Sequence, residues 1–158
     1  MNKKKLQFLK ACENVLLEKI NSNINDFATE INSRITVLSD ELSSLDFFLI
    51  SKKNRRSIYI IISEGINTEK EQFYGIRFYI QKIDADGNKI SDFSIKDYCA
   101  EMKIDIELAW FFIGNINFLI ELKKYLAGVN NLLQTEEMKA ILFGDHWIDI
   151  KPDFSPYR

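Results

Sequence analysis

Phe47-Phe48-Leu49-Ile50, Lys52-Lys53-Asn54-Arg55-Arg56 and Ile58-Tyr59-Ile60-Ile61-Ile62 follow one another in mid-chain, and their order decides the class of fold. Two short apolar runs rich in β-branched and aromatic residues, joined by a charged stretch, read as a β-hairpin. The second run is apolar at every position, so neither of its faces suits water and it belongs in the centre of a sheet. Downstream, Phe73 to Ile83 alternates, with Ile76, Phe78 and Ile80 on one face and Arg77, Tyr79 and Gln81 on the other, as a half-buried strand does. Asp84-Ala85-Asp86-Gly87-Asn88 reads as a turn whose glycine takes positive φ, leading into a short edge strand from Lys89 to Phe93.

Upstream of the hairpin the period changes. Leu6, Leu9, Cys12, Leu16, Ile20, Ile24, Phe27, Ile31, Ile35, Leu38, Leu42 and Leu45 recur every three or four residues, which places one apolar stripe on a helix. The first glycine is Gly65, so only the weak helix formers Asn21-Ser22-Asn23-Ile24-Asn25 offer a break. An unbroken helix of about 40 residues would be about 60 Å long and would overhang a domain about 40 Å across. The region is therefore either a helical hairpin broken near Asn21 to Asn25 or one long helix whose stripe is covered by a second copy. In that homodimer the seam is Ile24, Phe27, Ile31, Ile35, Leu38 and Leu42.

After the sheet, Ser94 caps a helix running through Met102, and a very apolar helix runs from about Asp105 to Ala127, ended by Gly128. Thr135-Glu136-Glu137 opens a short helix to Phe143, closed by Gly144, and Trp147-Ile148-Asp149-Ile150 reads as a last strand before a tail from Pro152 to Arg158. The expected fold is thus α+β in one domain, residues 1–158. A long N-terminal amphipathic helix or helical hairpin (1–45) is followed by an antiparallel sheet of about four strands (46–93), then by C-terminal helices and a short final strand (94–158).

Composition narrows the function classes. The chain carries a net charge of −2 and has a pI near 5.5, so no global field draws it to phosphate backbones, and nucleic acid is an unfavourable partner. No stretch is long and uncharged enough to span a bilayer, and the basic start Met1-Asn2-Lys3-Lys4-Lys5 is not followed by an apolar signal region, so a cytoplasmic location without membrane association is expected. Cys12 and Cys99 are far apart and outside any CxxC pair, which reads as two reduced, buried thiols.

Each cluster of chemically active side chains has an ordinary alternative. Asp84 and Asp86 before Gly87 resemble part of a calcium loop, but the loop's first and twelfth positions would be Lys82 and Phe93, so a hairpin turn is the reading. Asp145, Asp149 and Asp153 surround the single His146, yet strand alternation would turn the histidine away from the two nearest carboxylates, and no metal site is expected. Element order alone also matches metal-dependent nucleases. The third strand, however, reads Ile80-Gln81-Lys82 where an acid, any residue and a lysine would be needed. The basic turn Lys52, Lys53, Arg55 and Arg56 has more positive charge than solubility needs and is the interaction candidate. No catalytic residues, metal or cofactor are assigned. The expectation is a non-enzymatic interaction or regulatory domain of inhibitor, immunity or adaptor type with a protein partner. The alternatives are a small metal-dependent hydrolase or nuclease-like enzyme, and a small-molecule binding module.

Overall fold

A computed structural model describes residues 3–20, 27–37, 43–66, 72–104 and 118–151. Helix α1 (Lys3–Lys19) leads to five strands, β1 (Glu30–Val37), β2 (Ser43–Ser51), β3 (Arg56–Ile66), β4 (Gln72–Ile83) and β5 (Lys89–Ser94). Helices α2 (Ile95–Glu101), α3 (Phe118–Leu133) and α4 (Glu136–Phe143) follow. Among the described residues the strands form one antiparallel sheet in sequence order, with β3 central and β1 and β5 at its edges. The class is α+β as the sequence predicts, with five strands where about four were expected.

Alternation separates the two faces of the sheet. Leu45, Phe47 and Leu49 of β2, Ile58, Ile60 and Ile62 of β3, Ile76, Phe78 and Ile80 of β4, and Phe93 of β5 are all buried. Above them lie α1, which contacts β1 and β2, and α2, which contacts β4 and β5, while α3 packs on α1 and α4. Burying a side chain of this size contributes about 1.5–3 kcal/mol, and this layer supplies most of the drive to fold. On the opposite face Phe48 stacks on Tyr59 at 4.4 Å, and Tyr59 on Tyr79 at 5.9 Å. These rings lie face to face across neighbouring strands, a cross-strand contact that braces the sheet. Among the described residues no helix is long and apolar enough to cross a membrane.

The largest departure from expectation lies between residues 27 and 37. Glu30–Val37 is a strand, not the second half of a helix. A spacing of four, as from Ile31 to Ile35, satisfies a period of two as well as one of 3.6, and the β-branched Ile31, Ile35, Thr36 and Val37 favour the strand. Phe27 is buried in the core, Ile31 is exposed and Ile35 half-buried, so these three do not form a helical seam. Ile24, Leu38 and Leu42 lie outside the described residues.

Two further boundaries move. Helix α3 runs through Gly128 to Leu133. The interior glycine costs about 1 kcal/mol, but the turn beyond it buries Val129, Leu132 and Leu133. Residues 146–151 are neither helix nor strand. Trp147 packs on Phe93 at 5.2 Å, and Ile148 and Ile150 rest partly buried against the core, so the apolar residues of this segment are used without strand pairing. The beginning of the Asp105 to Ala127 helix and the tail from Pro152 fall outside the described residues.

The other local signals are met. Ser94 accepts from the amide of Asp97 at 3.0 Å and Thr135 from that of Met138 at 3.4 Å, each capping the helix that follows. Gly87 has φ +88, and a Cβ there would meet nothing within 4 Å. Gly87→Ala is therefore expected to cost about 1 kcal/mol through backbone conformation alone, read as a shift in the urea midpoint with unchanged slope. A neutral or stabilising effect would contradict that origin.

Candidate functional site

The basic turn is where charged and apolar side chains converge at the surface. The chain reverses over residues 52–55, with the Asn54 amide donating to Ser51 Oγ at 3.2 Å. Arg55 takes the left-handed conformation, φ 54, uncommon for a residue other than glycine and a place where strain is held by its surroundings. Its carbonyl accepts from the amide of Ile83 at 3.1 Å, which ties the turn to the end of β4.

The four cations expected to act together are divided among three roles. Lys52 leans towards β1, with Nζ 3.5 Å from Glu30 Oε2. Arg56 is not a surface residue: it is only 4% exposed. Alternation puts it on the same face as Ile58, Ile60 and Ile62, under α4, where Nε donates to the Ile141 carbonyl at 2.8 Å and Nη2 to the His146 carbonyl at 3.4 Å. Its guanidinium lies 5.1 Å from the centre of the Trp147 ring. The last carbonyls of a helix lack partners within it, and a cation at that end is favoured by the helix dipole. Burial lowers the Arg56 pKa, and Asp145 opposes that shift. Arg56 is thus a clamp between β3, α4 and residues 146–147, and it leaves the set of interaction candidates.

Lys53 and Arg55 remain exposed. With Asn54, Arg56, Lys82 and Ile83 of β4, Asp84, Ile90 of β5, and Phe143, Gly144 and Asp145 at the end of α4, they line a groove of about 540 Å³. Of its two carboxylates, Asp84 is engaged, its Oδ1 accepting from the amides of Asp86 and Asn88, both at 2.9 Å, while Asp145 is exposed near Arg56. Among the described residues no acid forms an ion pair with Lys53, Arg55 or Lys82. Two large apolar side chains stand in water beside these cations, Ile90 at 59% exposure and Phe143 at 42%. Lys82, Ile90 and Phe143 were not singled out from the sequence. A charge at Lys82, on the parity of Ile76, Phe78 and Ile80, is the one signal that could have found them.

On the other side of the sheet a hollow of about 420 Å³ is lined by Phe48, Ile50, Ser57, Gln81, Ile83 and the 84–87 turn, with Glu30 and Lys52 at its rim. Ser57 Oγ is buried there and has no hydrogen-bond partner among the described residues.

The cluster around the single histidine is organised by Glu137 of α4. Tyr98 of α2 donates its hydroxyl to Glu137 Oε1, and His146 Nε2 lies 3.8 Å from Glu137 Oε2. Burial, and then the Glu137 carboxylate, push the Tyr98 hydroxyl far above the ordinary phenol value, so it stays protonated and holds α2 against α4. Among the described residues no three His, Cys, Asp or Glu side chains are grouped to hold a metal ion.

A second polar group, unforeseen in the sequence, lies under α1. Lys5 Nζ is 2.9 Å from Glu64 Oε1, Ser43 Oγ donates to Glu64 Oε2 at 2.9 Å, and Tyr74 Oη is 3.3 Å from Ser43 Oγ. The Glu64 side chain is 1% exposed and that of Lys5 11%. These contacts join α1 to β2, β3 and β4. Burial pushes the Cys12 thiol up to about 12 and the Cys99 thiol up to about 11, so neither supplies a thiolate at neutral pH.

Comparison of the chain with protein-family models, with curated proteins and with solved structures finds no match.

Proposed function

We propose that this chain is a non-enzymatic protein-interaction domain, of the inhibitor, immunity or adaptor kind, that receives an acidic, apolar-anchored segment of a protein partner in the groove beside the basic turn. One observation carries the reading: Lys53, Arg55 and Lys82, without acidic ion-pair partners among the described residues, line the same groove as the exposed Ile90 and Phe143. Exposed apolar side chains beside positive charge suit a segment that brings carboxylates to the rim and one aliphatic or aromatic side chain to the centre. The protein's own net charge of −2 makes this positive corner a local exception, which favours one docking orientation. Two buried, unpaired cysteines support a cytoplasmic setting.

Selecting random peptides on the immobilised protein tests it. The expected survivors combine Asp or Glu with Phe, Leu or Ile, and lose at least about tenfold in affinity for Lys53→Glu/Lys82→Glu, since like charges at a contact cost on the order of 1 kcal/mol or more. Peptides without acidic bias, or binding unchanged by that double substitution, would sink the proposal. Small-molecule binding is a second reading, favoured by the unpartnered Ser57 hydroxyl in the hollow across the sheet. A small hydroxylated or amide-bearing compound that raises Tm in the native protein but not in Gln81→Leu would support it.

A further inference from the structure

We propose that the edge strand β1 pairs with itself, two copies joining antiparallel along Glu30–Val37 so that one continuous sheet runs through a two-fold dimer. Among the described residues β1 has a neighbour on one side only, β2, and an edge strand presents a row of backbone donors and acceptors to any strand that fits. Residues 31–34 are exposed, and Ile31, at 37% exposure, is one of the few large apolar side chains in water.

The order of residues in β1 is self-complementary in one register. Its pairing with β2 places Ile31, Ser33, Ile35 and Val37 on the helix-covered face and Glu30, Asn32, Arg34 and Thr36 on the other. A two-fold axis through Ser33 and perpendicular to the sheet keeps those faces. It sets Ile31 opposite Ile35 of the second copy, twice over, and brings Glu30 diagonally within reach of Arg34 of the second copy. Moving the axis to Arg34 would oppose two guanidinium groups, and moving it to Asn32 would set Ile31 against Ser33. An axis at Ile31 would also place Glu30 diagonal to Arg34 of the second copy, but it leaves Ile35 without an apolar partner in β1, so only the Ser33 register pairs both isoleucines and keeps that diagonal. Each of these two registers carries one like-charge diagonal, Glu30 with its own counterpart at Ile31 and Arg34 with its own counterpart at Ser33.

Polar side chains of β1 are bonded within the chain: at the axis Ser33 Oγ donates to Glu13 Oε2 of α1 at 2.6 Å, and Asn32 Nδ2 donates to Glu30 Oε1 at 2.8 Å, so the two Glu13 carboxylates are like charges this approach must tolerate. Within the chain, Glu30 pairs with Lys52 at 3.5 Å and Arg34 with Asp46 at 3.8 Å, with side-chain exposures of 40%/76% and 80%/16% in that order; such solvated pairs are weak and can be shared or exchanged. Because both copies use the same strand, the contact closes on itself and stops at two chains. The occupant of this edge is a second copy because the strand's own charges and apolar residues complement one another, and the groove beside the basic turn plays no part.

Light scattering of the full chain at micromolar concentrations tests the proposal. The expected mass is twice the 18.5 kDa of one chain. Arg34→Glu, which sets acid against acid at both diagonals, is expected to weaken the dimer by about tenfold, and the reversal Glu30→Arg/Arg34→Glu to return it to within about threefold of the native affinity. Circular dichroism on each variant verifies the fold. A single-chain mass for the native protein overturns the proposal and leaves the edge to some other strand. A dimer indifferent to Arg34→Glu overturns it as well, as does one that the double reversal fails to recover.

Discussion

Arg56→Ala is expected to lower the unfolding free energy by about 3 kcal/mol, the largest effect of any single polar side chain in the described structure outside the buried pair under α1. Arg56 Nε and Nη2 hold the carbonyls of Ile141 and His146, and a hydrogen bond from a charged group contributes about 1.5–3 kcal/mol. The alanine leaves the Ile141 carbonyl without a donor where water has little access, and removes the cation from the Trp147 ring. Arg56→Lys should recover less than half of the loss, because one ammonium cannot reproduce a planar fork aimed at two carbonyls. Urea denaturation gives the magnitude, and hydrogen exchange at residues 146–151 should rise in step. A loss below about 1 kcal/mol would mean that α4 and residues 146–151 are held by apolar packing alone.

Lys5→Met is expected to cost about 3 kcal/mol or more, and the further change Glu64→Leu to recover most of it. Removing one partner leaves the Glu64 carboxylate, at 1% side-chain exposure, with the Ser43 hydroxyl but without the lysine. Breaking a buried pair on one side costs about 3–5 kcal/mol, whereas an apolar pair of similar volume in its place is often neutral or stabilising. The double variant separates stability from geometry: if Lys5→Met/Glu64→Leu equals or exceeds the native stability, the pair serves to fix where α1 sits on the sheet. If the double variant is as unstable as Lys5→Met, the polar network with Ser43 and Tyr74 is itself stabilising and the expectation fails. Thermal unfolding of the three proteins distinguishes these outcomes.

The reading of the sheet from sequence succeeded where one period was present without a rival. Phe47 to Ile62 could only be a hairpin with a central second strand, and the alternation from Ile76 to Ile80 named the face that is buried. Gly87, Ser94 and Thr135 each carried a local chemical reason for the turn or cap they make. It failed where two periods fitted one set of residues, as from Ile31 to Ile35, and where a helix breaker was outweighed by burial further on, as at Gly128. For the candidate site, the turn holding Lys53 and Arg55 was legible as a charge excess. Its other wall was not, because Lys82, Ile90 and Phe143 come from three separate elements that no local pattern links.

The sequence by itself determined the α+β class, the antiparallel order around the hairpin, the caps of the short helices and the cationic turn. Each of these rests on interactions among residues close in the chain, where spacing and intrinsic preference act directly. Only the tertiary structure decided that Glu30–Val37 is an edge strand, that Arg56 is a buried clamp while Lys53 and Arg55 face water, and that Lys5 meets Glu64 across 59 positions. Burial is what sorts four neighbouring cations into different roles, and burial depends on which elements pack above a strand, a property that no stretch of chain carries alone.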